Sequence, residues 1–249
     1  IVSRQLTADV GVAATAAEAY VRAHSGDPLS AFGCVLGFNR VVDVETARAV
    51  AVPEHFVECI VAPGFEAGAI SLLTSKTRWG KSLRLLKIEN LMADIGPRDR
   101  DVRRILGGML VQQYDLRTFT DSGWKQVSER KPTEAEVADL EFAWRCVKHV
   151  KSNAIVLAKG RAIVGVGAGQ MSRVDATRIA VRKAGDRAKG AALASDAFFP
   201  FADGLEVALE AGVTSAIEPG GSRNDHEVIA AANTSKAVLL FTGMRHFRH

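Results

Sequence analysis

Apolar residues recur along this chain in two rhythms, and the switches between them lay out a succession of short helices and strands. Ala, Val and Tyr fall at helical spacing from Thr15 to His24, and the "GDPLSAFGCVLGFN" that follows turns into a short apolar strand over 34–38. The same reading predicts helix over 45–50, strand over 57–62, helix over 65–72 and strand over 82–87. Residues 97–104 are proline-led and charged and precede the apolar run "ILGGMLVQQYD", a pattern that predicts a surface loop leading into a buried strand. From Thr133 to Val150 the signal is strongest. Thr133 stands as an N-cap with Glu136 three residues on, and Val137, Leu140, Trp144 and Val147 form one apolar stripe.

In the second half, "NAIVLAKGRAIVGVGAG" is two β-rich runs around Lys159-Gly160, a hairpin signal. Helix over 175–187, strand over 191–195, helix over 203–211 closed by Gly212 and strand over 213–217 come next. A Gly-Gly turn, helix over 225–232 and strand over 237–241 complete the chain. Short strands alternating with helices predict an α/β fold with mixed sheets. Two similar halves, residues 1–150 and 151–249, are expected, although no repeat is visible in the sequence.

Composition narrows the class. With 249 residues, 47% apolar and 24% charged, the chain has room for a substantial core and for one or two domains. The net charge of +4 is spread over scattered Lys and Arg, which favours anionic small molecules at least as much as nucleic acid. Cys34, Cys59 and Cys146 are odd in number and far apart, as expected of reduced thiols. No 18-residue apolar run and no signal-peptide pattern occur, so a soluble cytoplasmic protein without a membrane partner is expected. The start at Ile1 is expected to be that of a fragment or a processed piece.

Several stretches carry candidate chemistry. In "IEPGGSRNDHEV" a strand ends in a Gly-Gly turn before a helix; this is either an anion site built from backbone N–H groups or only a tight turn. "GVGAGQMSR" lacks the three-residue step of a dinucleotide fingerprint, so its glycines are expected to let backbone pass close to a neighbour. Asn153 in "KSNAIV" is either a satisfied turn residue or an amide that orients a substrate. The terminal "MRHFRH" is either a solvated tail or a source of a guanidinium fork at Arg245 and a titrating imidazole at His249. "HFVEC" does not complete a zinc site, because neither H-x-E nor P-C-x-x-C occurs. Finally, "SDAFFPFADG" crowds three rings into a segment with loop chemistry at both ends; Phe199 and Phe201 are expected in the core, and Asp203 is expected to cap the next helix.

In this order and spacing, "KSNAIV", "GAGQMSR", "SDAFFPFADG", "PGGS" and "RHFRH" resemble the transformylase domain of the bifunctional purine-biosynthesis enzyme. That enzyme is 5-aminoimidazole-4-carboxamide ribonucleotide (AICAR) formyltransferase/IMP cyclohydrolase. "AHSGDPLSAFG", "FVECIVAPGFE", "LRLL" and "GGMLVQQYD" extend the likeness back to about Gly11; the family's N-terminal cyclohydrolase domain is not expected within these residues. The resemblance implies formyl transfer from 10-formyltetrahydrofolate to the 5-amino group of AICAR. It also implies two cytidine-deaminase-like subdomains without zinc, and a homodimer with active sites at the subunit interface.

By the same resemblance, Asn153 and His249 would be catalytic. Gly33, Glu58, Arg173, Phe198 and Arg245 would bind AICAR, while Val174, Pro200, Asp203, Ser222 and Arg223 would line the folate side. Asp196 would help hold a monovalent cation such as potassium. One departure bears on activity. Upstream of Gly11 the family carries a Lys-His pair proposed as oxyanion donor and general base, whereas this chain reads "RQLTADVG". Gln5 and Leu6 supply neither a cation nor a base, so the alternative to an active enzyme is a defective homologue that binds nucleotide and folate. Cys34 stands where a glycine is usual, and "SRNDHE" follows Gly221 where an apolar residue more often follows the serine.

Overall fold

The computed structural model describes residues 2–4, 7–90, 96 and 98–248. Strands β1 (Val2–Arg4) and β2 (Thr7–Asp9) are followed by α1 (Ala16–His24), β3 (Cys34–Gly37), α2 (Val44–Val50), β4 (Val57–Ala62), α3 (Ala67–Ser75) and β5 (Arg84–Lys87). Their sheet has the order β2-β1-β3-β4-β5, with β1 antiparallel to both neighbours and β3, β4 and β5 mutually parallel. Thr15 and Asp43 cap α1 and α2 through their side-chain oxygens, as short polar residues at such positions do.

Strands β6 (Arg100–Ile105) and β7 (Gly108–Gln113) then form a separate two-stranded sheet. The buried strand expected here is instead an exposed hairpin: every residue of β7 lies at the surface, and Leu106 at its tip is fully exposed. Gly107, at φ 83°, takes the left-handed turn conformation that only glycine adopts freely.

After α4 (Phe119–Ser122) and β8 (Lys125–Gln126) come α5 (Glu134–Val147), β9 (Ile155–Lys159), β10 (Ala162–Gly167), α6 (Arg173–Ala184), β11 (Ala192–Ser195), α7 (Asp203–Glu210), β12 (Ser215–Glu218), α8 (Asp225–Thr234) and β13 (Val238–Phe241). The sheet order is β10-β9-β11-β12-β13-β8. Its first five strands repeat the pattern of the first sheet, with β9 antiparallel to both neighbours and β11, β12 and β13 parallel. Two elements that precede residue 150, β8 and α5, belong to this second layer system: β8 pairs with β13, and α5 buries Leu140, Trp144 and Val147 against one face of the sheet. The other face packs on α6, α7 and α8 through Ala180, Leu205 and Val228. Strands β9, β11 and β12 are buried on both faces, which explains why they read as unbroken apolar runs.

Candidate active site

Hydrogen bonds of the second unit converge on Arg173, the first residue of α6, which is buried. Ser172 before it caps the helix, accepting from the Asp175 N–H at 3.1 Å. The glycines of "GVGAG" bring α6 down onto the sheet. A Cβ on Gly165 would lie 2.2 Å from the Ala180 carbonyl oxygen, and one on Gly167 would lie 1.8 Å from that of Ala176, so the close backbone passage read from the sequence is what they provide.

Arg173 Nη1 donates to Asp196 Oδ1 at 2.5 Å and to Ser195 Oγ at 3.1 Å. Its Nη2 donates to Asn153 Oδ1 at 2.9 Å and its Nε to the Phe198 carbonyl at 3.1 Å. Asn153 Nδ2 in turn donates to the carbonyls of Gln170 and Met171, at 2.9 and 3.2 Å. Asp196, with no exposed surface, also accepts from Ser152 Oγ at 2.5 Å and from the Ala154 N–H at 3.1 Å. A buried ion pair is tolerated when its remaining polar atoms are satisfied, and here they are. Both oxygens of Asp196 accept hydrogen bonds, and Arg173 balances its charge. Among the described residues, no three of His, Cys, Asp or Glu are grouped to hold a metal.

The loop from Asp196 to Asp203 is pinned from within. Phe199 is fully buried and its N–H donates to Glu218 Oε2 at 2.7 Å. Phe198 is half-buried, while Pro200 and Asp203 are exposed. Phe201, expected in the core, is 58% exposed, because the chain turns there and Phe199 takes the inward position. Nor does Asp203 cap α7: the cap is Ala202, and Asp203 is the first helical residue, its carboxylate accepting from the Gly204 N–H at 2.7 Å. Its charge still suits the positive end of the helix.

Glu218 ends β12 beneath this loop. Its side chain is buried, Oε1 has no hydrogen-bond partner among the described residues, and burial pushes the carboxyl pKa up to about 8. A carboxylate at the end of the apolar run "SAIE" was the signal for this residue, and the sequence reading passed over it. The Gly-Gly turn that follows fills its own anion position. Asp225 accepts from the N–H groups of Gly221 and Ser222 at 2.8 and 2.9 Å, as expected of the tight-turn alternative. Ser222 is half-buried and Arg223 exposed beside the loop, and Asn224 Nδ2 donates to the Pro200 carbonyl at 2.8 Å.

The terminal segment is no frayed tail. The N–H of Ser152 donates to the Arg248 carbonyl at 2.9 Å, the Arg248 N–H donates to Ser152 Oγ at 3.0 Å, and the His246 N–H donates to the Asp196 carbonyl at 2.8 Å. Arg245 is exposed, its guanidinium 5.2 Å from the centre of the Phe247 ring. Val174 is half-buried in the first turn of α6. Gly33 and Glu58 lie apart from this cluster, at the start of β3 and on β4 of the first sheet, where Gly33 takes φ 70° and donates to the Phe56 carbonyl at 2.8 Å. His249, Gln5 and Leu6 lie outside the described residues.

Residues 1–183 match the family described as AICARFT/IMPCHase bienzyme. The chain belongs to that family. It is 51% identical over 235 residues to the bifunctional purine biosynthesis protein PurH of Rhodopirellula baltica, covering 94% of this chain and 45% of the relative. The PurH proteins of Magnetococcus marinus and Persephonella marina are 50% and 47% identical, over 93% and 100% of this chain and 44% and 47% of their own lengths. The chain thus spans about half the length of these curated relatives.

Proposed function

We propose that this chain forms the AICAR formyltransferase part of a bifunctional purine-biosynthesis protein. It would carry the formyl group of 10-formyltetrahydrofolate to the 5-amino group of AICAR, in the cytoplasm. The observation that carries this reading is the convergence of "KSN", "GQMSR", "SDAFF" and the terminal "RHFR" in one hydrogen-bonded cluster around Arg173, since these are the stretches by which the chain resembles AICAR transformylases. The relatives' shared name, bifunctional purine biosynthesis protein, points the same way.

In the reaction the amine attacks the formyl carbon and the resulting tetrahedral oxyanion needs a donor; as it collapses, the bond from the formyl carbon to the folate nitrogen breaks, the amine proton needs an acceptor, and the departing folate nitrogen takes up a proton to leave as tetrahydrofolate. Asn153, held at both ends, is the positioned amide, and His249 would supply an imidazole as proton acceptor. Arg173 holds Asn153 in place, while Gly33, Glu58, Phe198 and Arg245 take the nucleotide. The folate lies along Val174, Pro200, Asp203, Ser222 and Arg223. Ring and proline surface suit a flat pterin, and an exposed carboxylate at Asp203 suits its donor edge.

Each unit is read as cytidine-deaminase-like, as the resemblance implies, and the two units share one strand order. The second unit then takes β8 and α5 from the first half of the chain. Because Gly33 and Glu58 lie on the first sheet, away from the Arg173 cluster, a homodimer joining one copy's first unit to the other's second completes the site. Isothermal titration of the purified chain with AICAR and with a folate analogue tests the reading; binding of neither overturns it. Asp203→Ala is expected to weaken folate binding about tenfold while changing AICAR binding little, as loss of a charge-assisted hydrogen bond does. Formyl transfer by this same chain is the assay that separates an active enzyme from a defective homologue.

A further inference from the structure

His246 has no assigned role, yet its imidazole is almost wholly buried, with 1% of the side chain exposed. Its Nδ1 meets the carboxylate of Asp115, a residue 131 positions earlier at the foot of the β6–β7 hairpin. The ring packs on the Trp144 indole, centroids 4.7 Å apart, and Nε2 has no hydrogen-bond partner among the described residues. A carboxylate at Nδ1 holds the proton on that nitrogen.

The segment around His246 alternates: Met244 and His246 are buried, whereas Arg245 and Phe247 are exposed. Its backbone is tied on both sides of the imidazole. The His246 N–H donates to the Asp196 carbonyl, and Arg248 exchanges two hydrogen bonds with Ser152. Ser152 and Asp196 are themselves partners in the Arg173 cluster. Asp115 is fixed in turn, because Lys148 Nζ, just past α5, donates to the carbonyls of Asp115 and Arg117 at 3.1 and 3.2 Å. A slip of one residue along 244–248 would exchange the inward and outward sets. The Asp115–His246 bond opposes that slip.

We infer that Asp115 and His246 are positioning residues for the nucleotide side of the site: their bond sets which residues of 244–248 face outward, and so presents Arg245 to an anionic ligand group. This rests on the reading of the site given above.

The test uses the full chain with His246→Leu, His246→Asn, Asp115→Ala and the Asp115→Ala/His246→Leu pair. Amide hydrogen exchange comes first, because it needs no ligand. His246→Leu is expected to speed exchange at residues 246 and 248 about tenfold, leaving the strands of the second sheet protected, as local opening does. AICAR and a folate analogue are then titrated separately. His246→Leu and Asp115→Ala are each expected to weaken AICAR about tenfold and the double variant no further, the non-additivity of two residues acting as one. His246→Asn, which keeps a donor near Nδ1, is expected to restore most of the affinity, and folate binding is expected to change less than about twofold, within the spread of neutral substitutions. Unchanged exchange overturns the inference. So does unchanged AICAR affinity, or a parallel loss of both ligands together with a lower melting temperature, which marks a merely structural role. If the unmutated chain binds neither ligand, the functional reading fails, and the exchange data alone decide whether the pair sets the segment.

Discussion

At the scale of single residues, the candidate site is held by polar groups buried where few polar groups go. Glu218 yields the sharpest prediction. In the unfolded chain its carboxyl ionises near 4.5, whereas in the fold burial holds the proton on until about 8. Between those values the unfolded state binds fewer protons than the folded one, so stability falls as pH rises through the window, by at most about 1.4 kcal/mol per pH unit. Glu218→Gln keeps an acceptor for the Phe199 N–H and cannot ionise. Urea unfolding at steps across the window is expected to show the Gln variant gaining on the unmutated chain as pH rises; curves that stay parallel would sink the idea. Legibility at this scale was uneven. Asn153, Arg173 and Phe198 were picked out because they sit in short distinctive stretches, and hydrogen bonds bring them together. His246 and Asp115 were not, because nothing local announces a pair 131 residues apart.

At the scale of elements, propensity and capping were legible wherever a residue's partner lies within one turn. Thr133 and Glu136 form the reciprocal capping box expected of them: Thr133 Oγ1 accepts from the Glu136 N–H at 3.2 Å, and Glu136 Oε2 accepts from the Thr133 N–H at 2.9 Å. The structure adds a tertiary use for the box. Glu136 Oε1 also accepts from Arg130 Nη2 at 2.5 Å and from Thr214 Oγ1 at 3.0 Å, tying the start of α5 to the segment that enters β12. Burial alone would raise this carboxyl, but the Arg130, Thr133 and Thr214 bonds outweigh it and hold the pKa down to about 2. Thr133→Ala is therefore expected to cost about 1 kcal/mol, the usual loss of an N-cap. Glu136→Ala is expected to cost more, about 2–3 kcal/mol, because it also strands the Arg130 charge. Equal costs in chemical denaturation would show that the tertiary bonds add nothing. The run "ILGGMLVQQYD" misled for the opposite reason. Its apolar residues fall on both faces, so no alternation distinguishes a strand buried in the core from an arm that projects.

At the scale of the whole molecule, two sheets share one strand order without a visible sequence repeat, because a fold is specified by burial pattern and turn placement, which many different residues satisfy. What the shared topology leaves unexplained is the hairpin between the units. An isolated two-stranded hairpin is marginal in water, yet Val102, Ile105, Met109, Leu110 and Val111 are all half or more exposed or close to it, beside Arg103 and Arg104. Clustered apolar residues on a projecting arm mark an association surface, and the proposed homodimer supplies the cover. Replacing residues 100–113 by a short glycine linker is then expected to halve the mass seen by light scattering. The melting temperature of the rest should hold, since the three core clusters contain no residue of the arm. A variant that still runs as a dimer would place the subunit contact elsewhere. A monomer that keeps its fold but loses AICAR affinity would show that Gly33 and Glu58 reach the Arg173 cluster only from the other subunit.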